Sequence, residues 1–326
     1  MTEALVPEDI DHKADDGKSI KLNIENDLTT SDRLLARTDS FAVGLFRAKP
    51  TDEAFFGSTE LASYYFVFPR TFSEIRLDRG LREIIGPADI STYNPGDSYR
   101  RLQVSPEGDN SDYIAVLPSE LETLHFQITG KEPTGKPLFS GLKLAQSQAV
   151  FLKQRKFFEF LSRNNNCPKH SRLPVDKLQL EESCFLLISE ILADASGNNS
   201  PPGKLDEAQH RTLCDDLKRL LEKPFDEKLS IQQLSRQLNV SAGHLARVFK
   251  SQTGHSIHQY VTTLRLRASI DLLMSHRGDI SAVSSQLGFS HHSHFTMAFR
   301  KSFGMTPSDI TQELLNKPRA KYLPMP

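Results

Sequence analysis

Three groups of residues carry side chains able to do chemistry. The first lies near the C-terminus: Arg247, Lys250, Arg300 and Lys301, with His291, His292 and His294. Guanidinium and ammonium groups bind anions, and a planar guanidinium can meet a flat acceptor edge with two parallel hydrogen bonds. The imidazoles raise a metal site as an alternative, but residues one and two apart on a helix do not share a face. No metal and no other cofactor is therefore expected. The second group, Tyr99, Arg100 and Arg101, suits an anionic small molecule, or else simply lies on the surface. The third, Cys167-Pro168-Lys169-His170, sets a thiol beside an imidazole, the pairing that nucleophilic transfer needs. Residues 13–169 hold a single histidine, His125, so a metal-dependent barrel enzyme is not expected there.

The elements that would carry the first group form an internal repeat. Ile231–Phe249 and Ile280–Phe299 both open on Ile. Both then place Ser (Ser235, Ser284), Leu (Leu238, Leu287), an apolar residue (Val240, Phe289) and Ser (Ser241, Ser290) in the same order. Leu245 and Phe249 close the first copy, Phe295 and Phe299 the second. This is the spacing of a helix-turn-helix. The small Ser lets two short helices approach, and the apolar positions make the core between them. The residue after the shared Leu needs a positive φ, which Gly288 adopts freely and Asn239 tolerates. Ser230 with Gln233, and Ser256 with Gln259, are capping-box pairs. The second starts a helix over 256–275, a rod of about 30 Å, near the 34 Å of one B-DNA turn.

The second helix of each copy should begin near Ser241 and near Ser290. Leu245, Val248 and Phe249 turn inward, leaving Ala242, Gly243, Ala246 and Arg247 outward. Two of these have almost no side chain, so Arg247 carries most of any direct readout. Bidentate pairing with guanine O6 and N7 discriminates by about 1–3 kcal/mol; a phosphate contact is the alternative. Lys250, Arg300 and Lys301 are candidate phosphate clamps, or merely solvated.

Charge and composition agree with this placement. Residues 225–326 hold 12 Lys/Arg against 6 Asp/Glu, whereas residues 1–224 hold 28 against 35. A basic end behind an acidic body fits an anionic partner. A length of 326 residues predicts two domains. Apolar runs stop at five or six residues, too short for a membrane helix, and the acidic N-terminus does not read as a secretory signal. Three scattered cysteines make no disulfide framework and point to a reducing cytosol.

Residues 1–30 read as a loose arm. Short apolar runs at Phe41–Phe46, Tyr64–Phe68, Glu83–Ile85 and Tyr113–Leu117 alternate with turn signals at Asn94-Pro95-Gly96-Asp97 and Glu107-Gly108-Asp109-Asn110. That is the pattern of a β-sandwich or β-barrel. Helical spacing follows over Leu138–Leu161 and over about 175–193. These two helices either form a dimer interface or cover an open sheet face. The expected architecture is an α+β N-terminal domain (31–193, cupin-like barrel plus helices), a linker (194–203), an all-α domain with two helix-turn-helix units (204–316) and a tail (317–326).

Residues 206–315 resemble the DNA-binding domain of the AraC/XylS family of bacterial transcription regulators. The resemblance rests on Gly288-Phe289-Ser290, Ser293, Phe295, Phe299-Arg300, Gly304 and Thr306-Pro307. Two departures are Asn239, where Gly is usual, and Ser308-Asp309-Ile310, where an aromatic-Arg ending is common. Before the linker the chain more loosely resembles the family's β-barrel effector domain, and Tyr93-Asn94-Pro95-Gly96 with Tyr99-Arg100-Arg101 resembles one branch of it. The resemblance implies base contacts from Gly243, Ala246 and Arg247, and from His292, Ser293, His294 and Met297, with His291 beside them. It also implies a bacterial cytoplasmic regulator, nucleoid-associated when bound. Its expected partners are double-stranded DNA, a second copy of itself, a small-molecule effector and, for an activator, RNA polymerase. Activation is favoured over repression. Some family members carry out DNA-repair alkyl transfer, but the order and context of Cys167 and His170 do not match that motif, so no catalysis is expected. The rival from another class is a self-assembling barrel whose helical tail binds protein.

Overall fold

The computed structural model describes residues 31–57, 60–130, 137–166, 177–197, 207–222, 231–289 and 291–315. The expected arm and tail, and the Cys167–His170 pair, lie outside the described residues.

The N-terminal half is built on two antiparallel sheets. The larger has the order β1-β2-β8-β3-β6-β9, from β1 (Asp32–Arg37), β2 (Phe41–Ala48), β3 (Tyr64–Pro69), β6 (Asp89–Tyr93), β8 (Asp109–Val116) and β9 (Lys143–Ala145). The smaller is β5-β4-β7, from β4 (Ser73–Leu77), β5 (Arg82–Ile85) and β7 (Tyr99–Gln103). Every short apolar run read as a strand forms one. Alternation sets two cores, because neighbouring strand side chains point to opposite faces. Phe41, Val43, Tyr64, Phe66, Phe68, Ile114 and Val116 face a helical layer. Ala42, Phe46, Tyr65, Tyr93, Tyr113 and Ala115 face the small sheet's Ile75, Leu77 and Ile85. The turn glycines Gly96 and Gly108 adopt φ of 85° and 84°, so their turns need glycine.

The helical layer is α1 (Pro118–Thr129), α2 (Gln148–Asn166) and α3 (Lys177–Gly197). The helix expected over Leu138–Leu161 starts only at Gln148. Asn94 explains the difference: its side chain accepts from Phe139 N at 2.9 Å and donates to Phe139 O at 3.0 Å. That clamp fixes the preceding segment as a loop, from which β9 pairs with β6. Helix α3 continues to Gly197, so residues 194–197 of the expected linker are helical; the remainder lies outside the described residues.

The C-terminal half is helical: α4 (Glu207–Leu221), α5 (Ile231–Gln237), α6 (Ala242–Thr253), α7 (Ile257–Ser275), α8 (Ile280–Gln286), α9 (His292–Phe303) and α10 (Pro307–Leu315). Its two small cores are not self-contained. Phe72 and Ile84 of the β domain complete the cluster around Leu245, Phe249 and Leu264. Phe151 and Leu152 of α2 complete the one around Leu266, Phe295 and Phe299.

Ion pairs stitch the same seam. Lys218 of α4 is fully buried, donates to Ile84 O at 3.1 Å and lies 3.6 Å from Asp89. Burial opposes its charge, but Asp89 and neighbouring carboxylates hold its pKa up. Arg219 of α4 pairs with Glu74 of β4. Asp112, wholly buried on β8, collects Arg47 at 3.0 Å, Arg70 at 2.9 Å and Arg155 at 3.4 Å. Arg70 and Arg155 reach on to Asp271 of α7. On one side Asp112 is desolvated, which disfavours its charge; the three guanidiniums outweigh this and hold its pKa low.

Candidate nucleic-acid interface

Both repeat copies fold as helix-turn-helix units, α5–α6 and α8–α9. Asn239 and Gly288, the positions expected to need positive φ, have φ of 54° and 69°. Ser256 and Gln259 form the full capping box at the start of α7. Ser230 and Ser290 lie outside the described residues. The second helix of the first unit is capped by Ser241, whose side chain accepts from His244 N at 3.2 Å. In the second unit the cap is His291, with no side-chain cap bond. The second turn is therefore one residue longer than the first. Asp309, in the departure after Thr306-Pro307, has a local use: it accepts from Thr306 N at 3.0 Å and from Thr306 Oγ1 at 2.7 Å.

Of the four residues expected outward on α6, Gly243 and Arg247 are exposed, and Ala242 and Ala246 are half-buried. Leu245, Val248 and Phe249 are buried, while Lys250 is exposed. Arg247 Nε donates back to Gly243 O at 3.4 Å, so its guanidinium rests on its own helix. On α9, Phe295 and Phe299 are buried, and His291, His292, Ser293, His294, Met297, Arg300 and Lys301 are exposed. Met297 is a large apolar side chain left 63% open. The rings of His291 and His294 meet edge-on with centroids 5.7 Å apart. Among the described residues no group of three metal-ligating side chains is placed to hold an ion. Helix α7 joins the units with 19 residues, about 28 Å of rod.

The Tyr99-Arg100-Arg101 group divides. Arg100 is exposed. Arg101 points into the space between the sheets, 2.6 Å from Asp109 and 4.0 Å over the Phe46 ring, and donates to Tyr99 Oη at 2.6 Å. Its charge is thus used internally. Sequence reasoning missed Arg267, Asp271, Lys218 and Arg219, the charged groups of the seam, because their partners lie tens to hundreds of residues away.

The helix-turn-helix domain family matches residues 234–313. Residues 234–313 form an AraC/XylS-type helix-turn-helix domain. Relatives of this domain include the Msm operon regulatory protein of Streptococcus mutans, 28% identical over 136 residues, covering 40% of this chain and 49% of that protein. The HTH-type transcriptional activator RhaR of Pectobacterium atrosepticum is 31% identical over 139 residues, covering 43% and 48%. The chain thus spans about half the length of the curated relatives it matches. Among solved structures, an AraC-type regulator from Chromobacterium violaceum is 27% identical, covering 33% of this chain and 97% of that one, with a TM-score of 0.31. No helix among the described residues is long and apolar enough to cross a membrane.

Proposed function

We propose that this protein is a sequence-specific DNA-binding regulator of transcription that works without catalysis, where the chromosome lies, in the bacterial cytoplasm. The observation that carries this reading is the exposed face of each second helix. In both units the inward positions are filled by apolar side chains and the outward ones are open, cationic or hydrogen-bonding. The named regulators matched by this domain support it, and RhaR's description as an activator favours activation, with RNA polymerase as the partner. Docking is electrostatic: Lys250, Arg300 and Lys301 neutralise phosphates. Readout follows in two major-groove segments. Arg247 leaves Gly243 O and pairs with a guanine; His291, His292, Ser293 and His294 address base edges or phosphates; Met297 meets a thymine methyl. The N-terminal domain, read as cupin-like, is assigned self-association and effector response.

The test is selection of duplexes from a random library, then fluorescence anisotropy on the enriched sequence at two salt concentrations. Three phosphate clamps predict that log affinity falls with log salt with a slope of about −3 or steeper. Failure to enrich any sequence, or binding insensitive to salt, would overturn the reading in favour of a protein-binding tail.

A further inference from the structure

The seam between the two domains holds a partly open cavity of about 170 Å³. From the β domain and its helices, Glu107, Gln146 and Arg155 line it; from the helical domain, Glu222, Leu264 and Arg267 do. For scale, a cavity of about 150 Å³ holds benzene, with its six heavy atoms, so the space suits a molecule of about seven.

Its polar groups are left in an unusual state. Two buried donors, Arg155 Nε and Gln146 Nε2, lack an acceptor among the described residues. Such groups are rare in folded proteins because an unpaired buried donor keeps its full desolvation cost. Arg267 is 3% exposed and donates only to neutral oxygens: Gln146 O at 2.6 Å, Gln146 Oε1 at 3.0 Å, Gln148 Oε1 at 3.3 Å, and Pro87 O. Burial lowers its pKa to about 10, and Asp89, whose charge reaches it, is already paired with Lys218. Arg70 and Arg155, by contrast, are matched by Asp112 and Asp271. On the opposite side of the ledger, Glu107 and Glu222 form no ion pair among the described residues. Burial raises the Glu222 pKa, a hydrogen bond from Ser105 offsets part of this, and the neighbouring charge of Glu107 raises it further.

The unmatched groups around the cavity are therefore one guanidinium with two orphan donors, and a pair of carboxylates. We propose that this cavity binds a free α-amino acid, its carboxylate taken by Arg267, Gln146 and Arg155 and its ammonium by Glu107 and Glu222. A zwitterion satisfies both sets at once, whereas a simple acid or amine leaves one set unmatched. Phe68 and Leu264 receive an apolar side chain, while the Phe151 ring lies under the Arg267 guanidinium, 4.6 Å from its centroid, and holds that group in place. Because the ligand touches α4, α7 and the β domain together, it favours the docked arrangement of the two domains over any in which the seam opens. Binding rests on the cavity alone; only its consequence for DNA rests on the regulator reading above.

The experiment is thermal denaturation of the full chain, without DNA, in about 10 mM of each of the twenty protein α-amino acids in turn. Each stabilising one is then compared with its deaminated acid and its decarboxylated amine. At about ten times Kd the right amino acid raises Tm by about 3 °C, and neither half-molecule does so. A chain carrying Glu107→Gln and Glu222→Gln, exposed and half-buried positions where Gln keeps an acceptor for Ser105, melts no lower than the parent without ligand and loses at least about tenfold in affinity. No stabilisation by any amino acid overturns the proposal. So does equal stabilisation by the acid or the amine, or an undiminished response in the double variant. Adding the amino acid to the anisotropy assay then reads its effect on DNA affinity, a separate outcome from whether DNA is bound at all.

Discussion

Gly243 is the second residue of α6, on its exposed side, and a Cβ built there meets nothing within 4 Å. Its φ is not in the left-handed region, so neither backbone nor packing requires glycine. Glycine in a helix costs about 0.5–1 kcal/mol relative to alanine. Gly243→Ala should therefore stabilise the fold by about that amount, raising Tm by about 1–4 °C. If the helix backbone lies against DNA at this point, the added methyl pushes α6 out of the groove and pulls Arg247, one turn on, away from its base. Losing one bidentate pair costs about 1–3 kcal/mol, or about 5- to 150-fold in affinity. Scanning fluorimetry reads the first effect and anisotropy on the selected duplex the second. The expected signature is a more stable protein that binds more weakly. A raised Tm with affinity unchanged within about twofold would refute the close approach. A lowered Tm would refute the placement of residue 243 in an open helical position.

Other perturbations have equally definite outcomes. Arg247→Lys keeps the charge and loses the planar fork, so the salt slope is retained while discrimination at one guanine falls by about 1–3 kcal/mol, read by anisotropy on single-base variants of the operator. Asp112→Asn removes the one carboxylate shared by Arg47, Arg70 and Arg155, of which only Arg155 is buried, while Asp271 stays beside Arg70 and Arg155; the cost is about 1–3 kcal/mol, a Tm drop of about 2–12 °C in thermal melts. Burial alone would raise the Glu74 pKa, but hydrogen bonds from Arg82, Arg219 and Arg76 hold it down to about 2. A depressed carboxylate contributes stability that is complete above its ordinary 4.5 and is lost as pH falls from there toward about 2. Acid titration of the melting temperature should show this loss, and Glu74→Gln should flatten it.

How much the chain alone disclosed depended on how local the cause was. The helix-turn-helix repeat was legible because each requirement is met within a few residues: Asn239 and Gly288 by their own backbone freedom, Ser256 and Gln259 by mutual capping. The strands were legible because two buried faces make Phe41–Phe46 and Tyr64–Phe68 continuous apolar runs too short for a helix. The stretch from Leu138 misled because its apolar spacing fits a helix, whereas Phe139 and Leu142 are buried in different cores. Helix α1 was missed although Pro118 at its first turn and Glu120 are ordinary start signals, since they follow directly on a strand. The seam was illegible. Nothing near Asp271 announces Arg70, 201 positions earlier, and a Pro- and Gly-rich linker suggests parts that hang apart, not parts that share cores.

That sharing has a consequence for how the molecule comes into being. Synthesis runs from the N-terminus, and domains generally fold as they emerge. Phe72, Ile84, Phe151 and Leu152 are made before any residue of the helical half that buries them. The nascent β domain thus leaves the ribosome with an apolar strip uncovered, and the later helices condense on a template already in place. A chain cut between its two halves would lose this order of assembly on both sides: the first fragment keeps a sticky strip for life, and the second must close two small cores with part of each missing.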